Sequence, residues 1–164
     1  DMAGNADTLY VLPVRIDASN DPFGLKPQIA AKMLLNAHST AVMTKLGKVI
    51  GNTMTNVSPS NLKLIGRATF LIQSHVNDAL SRPQWVRTLG RRKPISYGEA
   101  DAVLFDSISY LKGKREMTGQ IAEVGLSIIR ILESLKQKRG LTSDEALKIL
   151  EKTGLSAYLS ALTK

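Results

Sequence analysis

Gln28-Ile29-Ala30-Ala31-Lys32-Met33-Leu34-Leu35-Asn36-Ala37-His38-Ser39-Thr40-Ala41-Val42-Met43-Thr44-Lys45-Leu46 runs between Pro27 and Gly47 with no glycine or proline inside it. Pro27 suits a first helical turn, because its ring already holds a helical φ and its missing N–H would find no intrahelical partner there. The stretch therefore predicts a long helix. Ile29, Met33, Leu34, Leu35, Ala37, Ala41 and Val42 spread over more than one face, which predicts a helix packed on several sides and central to its domain.

Upstream, Asp17-Ala18-Ser19-Asn20-Asp21-Pro22-Phe23-Gly24 gathers turn-forming residues and predicts a loop. Before it, Thr8-Leu9-Tyr10-Val11-Leu12-Pro13-Val14 is short, apolar and rich in strand formers, so it predicts one strand. A further short extended piece is expected within Val49 to Val57. A lone strand cannot pair its own backbone groups, which predicts a sheet completed by upstream sequence or by another chain. The opening Asp1-Met2 agrees with sequence having been removed upstream.

Downstream the signals are helical. Gly47 and Gly51 read as turns, and Ser58-Pro59 reads as cap and first turn of a second helix carrying a stripe of Leu62, Ile65, Thr69, Ile72, Val76 and Leu80. Residues 82–93 hold Arg82, Arg87, Arg91, Arg92 and Lys93 around Trp85 with no acidic residue, and mark a candidate boundary. Glu99 to Leu111 predicts a helix ended by Gly113. Met117, Ile121, Val124, Ile128, Ile131 and Leu135 recur at steps of three and four, which predicts a helix buried along one narrow face and stopped by Gly140. Thr142-Ser143-Asp144-Glu145 forms a capping-box pattern at the head of a short helix from Ser143 to Lys152. Gly154 stops it, and a last helical stretch follows from Ser156 to Leu162.

With 22 Lys and Arg against 14 Asp and Glu, the formal charge of +8 favours anionic partners. The chain has no cysteine, which excludes disulfides, zinc-thiolate sites and a cysteine nucleophile and fits a cytoplasmic setting. No apolar run reaches the roughly 20 residues a membrane helix needs, so no membrane partner is expected. His38 and His75 are the two histidines, and their spacing from carboxylates offers no metal site. Asp78, three residues after His75, reads as a surface partner. Ser39 and Thr40 lack an activating base at any helical offset. The basic run 82–93 with Trp85 would suit a nucleic-acid backbone and a stacking base, yet no recognition motif accompanies it; a charge run is usually a solvated face, and a protein-docking surface or a lid contacting an acidic neighbour is at least as good a reading.

Three segments together resemble a known family: Lys26, Lys32, Asn36, Ser39 and Thr40 in the first; Leu46-Gly47-Lys48-Val49-Ile50-Gly51-Asn52 in the second; Ser60-Asn61-Leu62-Lys63 in the third. The chain is similar there to the N-acetylmuramic acid 6-phosphate etherase and glucokinase regulatory protein family, across roughly residues 8 to 80. The resemblance implies a fold that is mainly α. Residues 1–80 would close a sugar isomerase (SIS) domain, an α/β unit represented by one strand plus central helices. Residues 81–164 would form a helical lid or tail module with a small helical end at 141–164. It also implies a dimer, or a missing upstream half, and a sugar phosphate ligand of the N-acetylated amino sugar type, with no cofactor.

Two departures bear on function. The family places Gly-Ser-Thr-Arg directly before the position of Leu25, where this chain has Asp21-Pro22-Phe23-Gly24. The hydroxyls and guanidinium that would help hold a phosphate are therefore gone, which leaves Lys26, beside a helix amino terminus, as the ligand-binding candidate. Its plain alternative is a solvated lysine at a helix start. The family's acid and base belong to the upstream half, so catalytic residues are unknown here, and this chain alone is expected to be inert in a carbon–oxygen lyase reaction that eliminates lactate. A noncatalytic regulatory or protein-interaction module, like the glucokinase regulatory proteins, is the alternative function.

Overall fold

The computed structural model describes residues 13–17, 19–90, 92–112 and 123–161. Among these the chain is mainly α, as expected, with one two-residue hairpin as its only sheet. It divides into two compact units, one ending at Ala41 and one running from Val42 onward.

The first unit carries the loop at residues 19–24 and most of helix α1 (Leu25–Lys45). Pro27 lies in the first turn of α1 and no residue interrupts it, so the helix forms where the sequence predicts. The packing on several sides that its pattern predicts is not present among the described residues. No residue of α1 is buried, and Met33 and Leu35 are 67 % and 69 % exposed. A helix with apolar residues on several faces needs cover on each of them, and the described residues do not bury any of these side chains. The predicted strand from Thr8 lies outside the described residues up to Leu12, and Pro13 and Val14 are irregular.

The second unit opens with a tight stop to α1. Gly47 takes a left-handed φ of 68°, its N–H donates to the Thr44 carbonyl, and the Lys48 N–H donates to Met43 at 2.9 Å. These two bonds complete the last helical turn in the manner glycine permits. The chain then makes the hairpin β1 (Val49–Ile50) and β2 (Thr53–Met54), antiparallel, with Val49 opposite Met54 and Ile50 opposite Thr53. Gly51, with φ of 61°, occupies the two-residue turn, so the expected turn and extended piece are both present.

Helix α2 (Leu62–Ser81) starts later than predicted. Its cap is Asn61, whose side-chain oxygen accepts the Leu64 N–H at 3.0 Å, whereas Ser58 lies outside the helix with its carbonyl taken by the Ser60 N–H. Thr69, Ile72, Val76 and Leu80 of the predicted stripe are buried, while Leu62 at the helix start is exposed. α3 (Pro83–Leu89) follows directly and turns Trp85 into the core. α4 (Tyr97–Lys112) is capped by Ser96, whose N–H donates to Glu99 at 2.7 Å while the Glu99 N–H returns to Ser96 Oγ.

α5 (Glu123–Gln137) is the true centre of this unit. It packs against α2, α3, α4 and α6 (Ser143–Thr153). The narrow-face expectation is therefore corrected: Val124, Gly125, Leu126, Ser127, Ile128 and Ile129 are buried in succession, so this part of the helix is surrounded. Its neighbours approach closely because Gly125 has no side chain. A Cβ placed there would stand 3.1 Å from a Leu150 methyl carbon, tighter than ordinary packing. The predicted stop at Gly140 is also corrected. Lys138 takes the left-handed φ of 54°, and the Arg139 N–H closes the end on the Ser134 carbonyl. Met117, Ile121 and Gly113 lie outside the described residues.

The capping box at Thr142 forms as predicted, with Thr142 Oγ1 accepting from the Glu145 N–H and the Glu145 carboxylate accepting from the Thr142 N–H. Gly154 then ends α6, with φ of 74°, and α7 (Leu155–Ala161) completes the described chain. Tyr158 and Leu159 of α7 are buried, and the Tyr158 hydroxyl donates to Glu133 on α5 at 3.0 Å.

Candidate functional site

The loop that leads into α1 is tied by its own side chains. The Asp21 carboxylate accepts the Leu25 N–H at 2.8 Å and the Lys26 N–H at 2.9 Å, so it caps the first turn of α1. Asn20 and Gly24 supply the left-handed backbone, at φ of 57° and 61°, that folds the aspartate back over the helix start. Asp17 accepts from both the N–H and the hydroxyl of Ser19, and these bonds hold its carboxyl below the usual carboxylate range.

Lys26 stands on the first turn with its side chain exposed, and its ammonium donates to the Ser19 carbonyl at 2.7 Å. The predicted ligand-binding residue therefore sits beside a helix amino terminus, but that terminus already holds an anion. An incoming phosphate would meet the Asp21 carboxylate as a competitor for the same backbone N–H groups. It would also have to draw the ammonium away from Ser19. The arrangement can hold an anion electrostatically and has no acid and base pair poised for proton transfer among the described residues. Sequence reasoning does not single out Asp21 as the cap. Its signal is an aspartate four residues before a helix that begins next to proline.

The other candidates lie elsewhere. Ser39 and Thr40 are exposed on α1. His75 turns inward on α2, where burial lowers its pKa against the opposing charge of Asp78. Asp78 itself pairs with Arg82 at 2.5 Å. No group of three His, Asp or Glu residues among the described ones could hold a metal ion. No helix among them is long and apolar enough to cross a membrane.

The basic run does not present the surface that stacking would need. Trp85 is only 4 % exposed, packed in the core of the second unit. Arg82 divides its guanidinium between Asp78 and the Leu159 carbonyl at 3.1 Å, so it serves the join between α2 and α7. A tryptophan flanked by cations reads as a binding platform in sequence, but its large apolar area is stabilised more by burial than by exposure.

No family model and no solved structure matches the chain. Curated proteins do match it over part of its length, and they are enzymes named for acting on a phosphorylated sugar. In particular the chain is similar to N-acetylmuramic acid 6-phosphate etherases: 46 % identical over 85 residues to that of Lactobacillus gasseri, covering 52 % of this chain and 28 % of the relative. The etherase of Bacillus subtilis is 53 % identical over 73 residues, covering 44 % of this chain and 24 % of that protein. N-acetylmuramic acid 6-phosphate etherase 1 of Enterococcus faecalis is 49 % identical over 49 residues, covering 30 % and 16 %. The matched stretch thus spans only about a quarter of the first two relatives' length. The resemblance to the etherases is established over that stretch.

Proposed function

We infer that the chain is the carboxyl-terminal part of a sugar phosphate-binding protein related to the N-acetylmuramic acid 6-phosphate etherases. The similarity of 46 % over 85 residues carries this reading. Its ligand is a phosphorylated, N-acetylated amino sugar, and Lys26 supplies a cation to the phosphate. In this reading residues 1–80 end a sugar isomerase domain and residues 81–164 form a helical module with its small end at 141–164. The apolar residues that α1 leaves exposed are covered in the intact protein by the upstream half, whose sheet needs such helices on its faces. The intact, cytoplasmic protein is then a carbon–oxygen lyase working as a homodimer, and this chain alone, without the acid and base, is inactive.

One observation favours the alternative, a noncatalytic regulator like the glucokinase regulatory proteins. Where the family has Gly-Ser-Thr-Arg, this chain has Asp21-Pro22-Phe23-Gly24, and the Asp21 carboxylate takes the helix N–H groups at 2.8 and 2.9 Å. A site with a built-in anion and without those hydroxyls and guanidinium binds phosphate more weakly, which favours the noncatalytic reading.

Calorimetric titration with an N-acetylated amino sugar 6-phosphate tests the site. Lys26→Ala should weaken binding about tenfold, the loss of one charge-assisted bond, while the unfolding midpoint stays in place. Unchanged affinity would remove Lys26 from the site.

A further inference from the structure

We propose that a cleft in the second unit, between the hairpin and the turn joining α6 to α7, binds a phosphate monoester of a small polyhydroxylated molecule. The cleft has a volume of about 450 Å³, within the range of small-ligand sites. Lys45 and Lys48 line it and no acidic residue is among the described lining residues, so the lining carries a positive formal charge. Asn56, Thr153 and Ser156 add amide and hydroxyl groups that can bond both phosphate oxygens and sugar hydroxyls. Leu150 and Leu155 form an apolar wall beside Gly125, suited to the carbon face of a ring.

The segments that carry these groups are tied through their backbone. The two hydrogen bonds that close α1 at Gly47 fix Lys45 and Lys48 on either side of one turn. Thr55, itself buried, donates through its N–H at 2.9 Å and its hydroxyl at 3.1 Å to the Lys48 carbonyl, so the cation-bearing turn is fastened to the strand that leads to Asn56. On the far side the Gly154 N–H closes α6 on the Leu150 carbonyl at 2.8 Å, which sets Thr153 and Ser156 about that turn. Such preorganisation lowers the ordering cost of binding. The proposal is independent of the reading at Lys26, which belongs to the first unit.

The test is a residue-resolved NMR titration of the 164-residue chain with glucose 6-phosphate and, in parallel, inorganic phosphate. Saturable shifts are expected at the amides of Asn56, Thr153 and Ser156, at lower concentration for the sugar phosphate. The double variant Lys45→Ala with Lys48→Ala should raise the half-saturation concentration about tenfold or more. Ser156→Glu, which sets a carboxylate in the cleft at a half-buried position, should do the same with the dispersed spectrum retained. Absence of saturable shifts at those amides would overturn the proposal, as would an unchanged midpoint in both variants. Equal affinity for inorganic phosphate would overturn the polyhydroxylated part. Lys26→Ala should leave these three amides unaffected; if it abolished their shifts, the ligand would belong to the α1 loop and the cleft would be discarded.

Discussion

Glu145 shows how much one exposed residue can organise. Its carboxylate accepts from the Thr142 N–H and hydroxyl and from both terminal nitrogens of Arg139, at 3.1 and 2.6 Å. The Arg139 guanidinium, followed by the Thr142 bonds, pulls its pKa down to about 2. Because the folded value is depressed below the unfolded value of about 4.3, the contribution to stability is fully present above that value. It is lost as pH falls from about 4.3 toward 2. Urea unfolding of the wild type and of Glu145→Gln should therefore differ at pH 6, with the wild type more stable, and converge near pH 2. The glutamine keeps one oxygen to accept from Thr142 and removes the charge together with the second oxygen that Arg139 uses. A gap of constant size across that range would show that the ion pair contributes nothing specific. The capping box is legible from Thr142 to Glu145 alone, since both partners lie within one turn. The Arg139 contact depends on how the chain leaves α5, which no local pattern encodes.

At the scale of the element, the ends of helices are less legible than their middles. The glycines at 47 and 154 mark real stops, and both take a positive φ. For α5 the sequence points to Gly140, while the structure assigns the left-handed position to Lys138. A lysine there costs what its Cβ meets against the backbone, about 1 kcal/mol. Lys138→Gly should therefore raise the free energy of unfolding by about that amount and shift the thermal midpoint upward, provided the 6→1 bond from Arg139 to Ser134 is retained. Differential scanning calorimetry checks it, and a lower midpoint would count against the left-handed assignment. The α4 cap is equally local, Ser96 followed three residues later by Glu99, and it sets the helix start two residues ahead of the glutamate at which the sequence reading begins it.

At the scale of the whole molecule, α1 and α5 exchange the roles that their sequences suggest. α1 shows apolar residues on several faces and is covered on none, whereas α5 shows a regular stripe and is surrounded by four helices. Replacing Met33 and Leu35 by serine should leave the unfolding free energy of this chain within about 0.5 kcal/mol, since both are largely exposed. In a protein that carries the proposed upstream half, the same pair should cost at least about 2 kcal/mol per residue, as buried apolar truncations do. Denaturant titrations of the two forms make the comparison. Equal and small effects in both would leave α1 without a covering partner and remove the argument that its apolar faces serve a missing sheet.

The sequence by itself determined the helical class, most of the helix positions and the resemblance to the etherases, because each rests on periodicity, capping chemistry or short motifs read within a few residues. It also singled out Lys26, whose place at the start of α1 follows from Pro27 and the loop before it. Only the tertiary structure decided that Asp21 occupies the helix terminus beside Lys26, that Trp85 is core and that α5 is central. It alone gathered Lys45, Lys48, Asn56, Thr153 and Ser156 about one cleft. The physical reason is range. A cap or a stripe is fixed by neighbours a turn away, while burial and the walls of a cleft are fixed by residues about a hundred positions apart whose packing no local pattern specifies.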